Sequence, residues 1–389
     1  MKNIFKKIFS IKVESKRLHL SFLFFKFSIK KRERKLKKKI LLICRFDGIG
    51  DYVIMRKFLK NIRYSEKYKN YKIIFAGRNE FSEFAERHDK DYIDEFIWIN
   101  YLKFMECKKY RKQCLKLFSK LRVDDVISPV YDREAYVCEK VIQAFKHAKN
   151  IIGHYGQINR LSMVLNDKQI KRVNKKYTRF IETGNTVLFE EERYKIFFEK
   201  VLNENIEDSV ENFQLPINLK SDYVLVAPFA GDPIRTWNRR NFSKVIDYIT
   251  QNLNYEVGIL GNSLEFESVE NIISDCIQKN RIKNLAGKVS LADINIYLAN
   301  CKFLLANETG TVHIANLVKT KTFCISNGSY MGRFQPCSKE DFITYIYPNN
   351  IETYLKEHNE YGIVSTCSIQ EIKPSKVIKI IEEKLKKLN

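Results

Sequence analysis

The chain has no Cys-x-x-Cys pair, no internal repeat of solenoid type, no low-complexity linker and no apolar run long enough to cross a bilayer. Its nine cysteines, at 44, 107, 114, 138, 276, 301, 324, 337 and 367, are an odd number. That excludes a disulfide scaffold and reads as a reduced, cytosolic chain without a metal site. The longest nearly apolar piece, LHLSFLFFKFSI, is interrupted by Lys26 and falls well short of the ~20 residues a spanning helix needs. No small-residue cleavage site follows it, so it also reads as a poor signal peptide.

What is present is length and positive charge. A chain of 389 residues, 44% apolar, is too long for one ordinary core and predicts two domains. The net charge of +23 is unevenly spread: residues 1–40 hold fifteen Lys or Arg against Glu14 and Glu33, a net of +13. This leader, residues 1–38, mixes lysine with phenylalanine and is expected to lie on an anionic membrane surface, rings in the headgroup boundary and lysines outside. A helix packed on the body is the second reading, and a nucleic-acid arm ranks last.

Beyond the leader, apolar runs alternate with helical periodicity. ILLICRF (40–46), YKIIFAG (71–77), YIDEFIWIN, VDDVISPV (123–130) and IIGHYG (151–156) read as buried parallel strands, the first four each followed by a helix and the last by a polar exit. Residues 157–218 lack strand periodicity of that strength and read as the last helices of the first domain and the crossing into the second. A second alternation follows, with YVLVAPFAG (223–231), YEVGILGN (255–262), KFLLA and KTFCIS (321–326) as strands. The fold class is therefore α/β, two Rossmann-like doubly wound domains facing a central cleft behind a basic extension. The boundaries read 39–175 for the first domain, 176–218 for a connecting segment, 219–365 for the second domain, and 366–389 for a closing helix that packs back on the first.

Two turns carry the chemistry. In LLANETGTVHIANLV (304–318) a strand opens through a polar turn into a helix, whose first N–H groups and positive dipole end suit an anion. Gly310 permits close approach, Thr309 and Thr311 add hydroxyls, His313 lies one turn in, and Glu308 is placed for sugar hydroxyls. An ordinary N-cap is the alternative. In DGIGD (47–51) the glycines 48 and 50 allow a tight turn, and Asp51 at the helix start suits a general base. Capping of its own helix is the alternative for Asp51, and Asp47 reads as structural. This is not the G-x-G-x-x-G dinucleotide fingerprint. Arg235 is a phosphate clamp or a solvated loop cation, Trp237 a packing residue, and Glu265 a ribose ligand or a helix cap.

These residues resemble a family. LLICRFDGIGDYVI is similar to the N-terminal signature of the bacterial heptosyltransferase-like glycosyltransferases, family 9, and the likeness continues through IRTWNRRNFSKVI, GILGNSLEFE and the stretch ending NETGTVHIANLV. The resemblance implies a GT-B fold and inverting, metal-free transfer from ADP-heptose to a lipopolysaccharide acceptor at the cytoplasmic membrane face. It implies Asp51 as base and Arg235, Thr309, Gly310 and His313 on the donor diphosphate, with Glu308 at the donor sugar and Glu265 at the nucleoside. Glu308, Arg235 and Asn238 depart from the family's usual aspartate, lysine and proline, and NGSYMGRFQP replaces its usual Gly-Pro-Thr loop, which leaves the sugar and the acceptor open. A different nucleotide sugar, a protein acceptor, or a non-catalytic sugar-nucleotide binder are the alternatives.

Overall fold

A strand covered by helices on both faces has to be apolar at every position, and the runs predicted as strands meet that condition. In the computed structural model, which describes residues 38–156, 164–207, 222–337 and 342–386, Leu41, Leu42 and Ile43 are fully buried. The expectations for the leader fall on residues 1–37, outside the described residues.

The first sheet contains β1 (Ile40–Cys44), β2 (Lys72–Arg78), β3 (Glu95–Ile99), β4 (Asp125–Ser128), β5 (Asn150–His154) and β6 (Arg179–Ile181). Its helices are α1 (Ile49–Arg56), α2 (Leu59–Tyr64), α3 (Ser82–His88), α4 (Tyr101–Glu106), α5 (Lys108–Lys120), α6 (Cys138–Ala144), α7 (Asp167–Asn174) and α8 (Glu190–Leu202). The second sheet contains β7 (Tyr223–Ala227), β8 (Glu256–Ile259), β9 (Ile282–Asn284), β10 (Leu304–Asn307), β11 (Thr322–Ile325) and β12 (Ile343–Ile346). With it go α9 (Arg239–Gln251), α10 (Phe266–Ser274), α11 (Ile294–Asn300), α12 (Gly310–Leu317), α13 (Ile351–Glu357) and α14 (Pro374–Lys386).

Every pairing is parallel. The strand orders, β3-β2-β1-β4-β5-β6 and β12-β11-β10-β7-β8-β9, are the same doubly wound topology twice. In such a sheet the winding reverses beside its first strand, and the loops leaving the strand ends there diverge to form a crevice. The reversals lie between β1 and β4 and between β7 and β10. All four of those loops open on one cleft of 730 Å³ between the halves. Below it the core is continuous: Val53 and Ile54 of α1 belong to the same buried cluster as Leu225 of β7 and Val312 of α12.

Three expectations need correction. The strands β6, β9 and β12 were not marked by periodicity, because each is short and pairs at an edge. The first domain runs past the boundary read at 175 and includes a strand there: β6 extends the first sheet, and Phe197 and Phe198 of α8 bury into the cluster that holds α1. The closing helix α14 packs on the second domain, not the first. Val377 and Ile381 join Val245, Ile246 and Phe323, Tyr248 donates to Glu382 (2.7 Å), and the Trp237 indole donates to the Ile372 carbonyl (2.9 Å) just before it.

Candidate active site

The two turns singled out in the sequence meet face to face. Gly50, in the first turn of α1, lies so near the start of α12 that a Cβ on it would stand 2.9 Å from His313 Cδ2 and 3.5 Å from Gly310 Cα. A Cβ on Gly310 would stand 3.3 Å from the Gly50 amide nitrogen. Two helix N-termini therefore converge on one crevice, with the Ile49 side chain and the Gly50 backbone packed against Gly310. Neither glycine needs an unusual φ here; closeness alone demands it.

On the first-domain wall, Arg45 organises the carboxylates. It ends the β1 run and is almost fully buried, with its Nε 2.8 Å from Asp47 Oδ1 and its Nη2 3.3 Å from Asp51 Oδ1. It also donates to the Pro129 carbonyl (3.3 Å) from the loop after β4, and its guanidinium lies 4.9 Å over the Tyr194 ring. Burial opposes the Arg45 charge, but Asp47, Tyr194 and Asp51 around it outweigh that and strengthen its hold on the proton. Asp51 does not cap its helix: the N-cap is Gly48, without a side-chain bond, and the Asp51 carboxylate faces the cleft. Asp47 is more than a turn residue. Burial, with the Asp51 charge beside it, outweighs the pull of Arg45 and pushes the Asp47 carboxyl up to about 7, while 28% of its side chain stays open to the cleft.

On the second-domain wall, Glu308 lies between two cations. Arg235 donates to its Oε2 at 2.7 Å, and His313 Nε2 is 3.8 Å from its Oε1. Burial would raise the Glu308 carboxyl, yet His313 and Arg235 hold it below the usual carboxylate range. Burial likewise works against the His313 imidazolium, but the Cys337 sulfur and Glu308 outweigh it and push the ring up to about 10. At neutral pH the three side chains sum to one positive charge, set at the N-terminus of α12. Thr309 is the N-cap residue and leaves its hydroxyl out of capping; both it and Gly310 line the cleft, and Thr311 does not. Net positive charge at a helix N-terminus is an arrangement that attracts an anion.

Glu265 is used locally. Its Oε2 accepts from the Asn262 amide (2.7 Å) in a reciprocal capping box, and it is Asn262 that reaches the cleft wall. Trp237 packs, as expected, against Phe242. Sequence reasoning missed Arg333, in the loop NGSYMGRFQP. This buried arginine crosses to the first domain, pairing with Glu190 (2.7 Å) and Asp132, while the Glu190 amide donates to its carbonyl (2.9 Å). On the opposite flank His88 bonds the Ala292 carbonyl (2.9 Å) and Arg87 lies 3.2 Å from Asp293. The only local signal for Arg333 was a basic residue between glycine and aromatics in an irregular loop.

A family model described as glycosyltransferase family 9 (heptosyltransferase) matches residues 144–361. Comparison with curated protein sequences finds no match. Among solved structures, the chain is similar to a glycosyl transferase family 9 protein of Veillonella parvula, with 16% identity over 91% of this chain and 99% of that one and a TM-score of 0.65. It is similar to E. coli heptosyltransferase WaaC bound to ADP (12% identity, 88% and 99% covered, TM-score 0.64). It is also similar to E. coli ADP-heptose lps heptosyltransferase II (15%, 90% and 99%, TM-score 0.58). These likenesses establish the GT-B architecture of two facing Rossmann-like domains.

Proposed function

Since the chain belongs to glycosyltransferase family 9, we propose that it moves a heptose-like sugar, with inversion, from a nucleotide diphosphate donor of the ADP-heptose class to a surface-glycan acceptor. The observation that carries this reading is the meeting of Gly50 and Gly310, which sets a carboxylate pair and an anion site on opposite walls of one crevice. Opposed walls suit inversion, because the nucleophile attacks the anomeric carbon from the side away from the leaving group.

In this mechanism Asp51 takes the proton of the acceptor hydroxyl, whose oxygen forms the new bond to the anomeric carbon. The bond from that carbon to the diphosphate oxygen breaks. The electron pair goes to the nucleotide diphosphate, whose charge is met by Arg235, the His313 imidazolium and the first N–H groups of α12. Glu308, held between the two cations, keeps both aimed at the cleft and faces the donor sugar. Asn262, with Glu265 behind it, borders the nucleoside. No step calls for a metal ion. The E. coli enzyme WaaC has been captured with ADP and with a fluorinated ADP-heptose, which supports the choice of donor. The acceptor is a glycolipid or related glycan at the inner face of the cytoplasmic membrane, with the basic leader at the anionic surface.

Calorimetric titration in EDTA tests the donor. ADP-heptose should bind and Arg235→Ala should weaken it roughly 10–100-fold, as for loss of a charge-assisted hydrogen bond. Binding of a UDP or GDP sugar instead would keep transfer and discard the heptose. No binding of any nucleotide sugar would remove the transferase reading.

A further inference from the structure

A dense positive charge lies away from the donor site, on the pair α4–α5. Residues 101–122 contain eight Lys or Arg and one acid, Glu106. Lys103, Lys108, Lys109, Lys112, Lys116, Lys120 and Arg122 are exposed. Cys114 and Phe118 face the core, so the steps of four from Lys108 through Lys112 and Lys116 to Lys120 place one file of ammonium groups on the outer face.

That arrangement is unfavourable for the helix itself. Like charges four residues apart repel by a few tenths of a kcal/mol each. Lys108 and Lys109 in the first turn oppose the helix dipole, and the first turn of α5 has no acid. Among the described residues no carboxylate pairs with Lys108, Lys109, Lys112 or Lys116, which border an open groove. The leader has the same sign and is no counterpart. An external polyanion would relieve the repulsion.

We propose that the outer face of α4–α5 docks on an anionic lipid leaflet. Three observations choose a leaflet over nucleic acid. Six of the seven exposed cations are lysines, compact hydrated charges that suit a diffuse headgroup layer more than the planar, bidentate reading for which arginine is favoured. Leu102, 62% exposed, stands beside Lys103 on the same helix pair. And α4 starts at Tyr101, which lines the cleft with Arg78 stacked on its ring at 4.1 Å. The basic face thus begins at the acceptor side of the cleft mouth, and docking there would bring the cleft to a membrane-anchored substrate. Because the apolar side of α5 is turned inward, the contact is electrostatic and weakens with salt.

The test is lysine footprinting of the full chain by acetylation and mass spectrometry. Vesicles of phosphatidylcholine alone are compared with vesicles containing about one third phosphatidylglycerol, enough for a strongly negative surface. Reactivity of Lys108, Lys109, Lys112 and Lys116 should drop at least threefold on the anionic vesicles only, with Lys283 on the second sheet unchanged, and should recover at high salt. Vesicle binding with these lysines still reactive would assign docking elsewhere and overturn the proposal, as would absence of binding. Protection by a 20-nucleotide oligomer but not by vesicles would give the face to nucleic acid and overturn it too. The readout is independent of donor and of turnover, so a failed transfer assay leaves it standing.

Discussion

Gly50 and Gly310 face each other where α1 meets α12: a Cβ on Gly310 would collide with the Ile49 side chain and stand 3.3 Å from the Gly50 nitrogen, and a Cβ on Gly50 would stand 2.9 Å from His313 Cδ2. The contact brings the wall that carries Asp47 and Asp51 up against the N-terminus of α12.

Gly310→Ala should therefore be a functional lesion. The added methyl forces α1 and α12 apart, and misplacement near 1 Å costs on the order of 10²-fold in rate. Transfer kinetics beside a thermal melt check this. A variant that folds and turns over like wild type would show that the approach is not needed for catalysis.

The two carboxylates held by Arg45 are separable. Asp51→Asn should lower transfer by roughly 10²–10⁴-fold, the range of a general base, with donor binding kept. Asp47→Asn should leave most of the activity and change stability with pH. The Asp47 carboxyl is raised from its ordinary value of 3.8 to about 7, so its contribution is fully present below pH ~4 and lost as pH rises through ~7. Melting temperatures across pH 4–8 should show the variant gaining on wild type with rising pH. Collapse of activity in Asp47→Asn alone would transfer the base role to Asp47.

His313 gives an alkaline signature. Its imidazole is raised from 6.5 to about 10, so its stabilisation is fully present below pH ~6.5 and lost as pH rises through ~10. Denaturant midpoints from pH 6 to 10 should fall more steeply for wild type than for His313→Gln. The same variant should lose roughly 10²-fold in transfer, since one donor to the leaving group is gone.

Arg333 tests how the halves are tied. Arg333→Ala leaves Asp132 and Glu190 facing each other with less positive charge; Glu190, whose carboxyl Arg333 and Arg193 hold down to about 2 against burial, feels it most. Breaking a buried pair costs about 3–5 kcal/mol. Urea unfolding should read a loss of that order. A loss below ~1 kcal/mol would mean the pairs add little to stability.

Much of this protein was settled by local pattern. Strands sandwiched between helices must be apolar throughout, so ILLIC, YVLVA and KFLLA declare themselves, and the breaks at DGIGD and NETG follow because a polar turn cannot continue a buried strand. The candidate donor and base residues sit at those breaks, which is why Asp51, Glu308 and Gly310 were legible. Tertiary structure decided the pairings. Arg45 collecting Asp47 and Asp51, Glu308 taking Arg235 from 73 residues away, and Arg333 reaching Glu190 across 143 have no periodicity to betray them. The sense of α14 and the edge strands β6, β9 and β12 were hidden for the same reason. Burial is written residue by residue in the apolar pattern, whereas an ion pair between distant loops exists only once the two sheets have closed on each other.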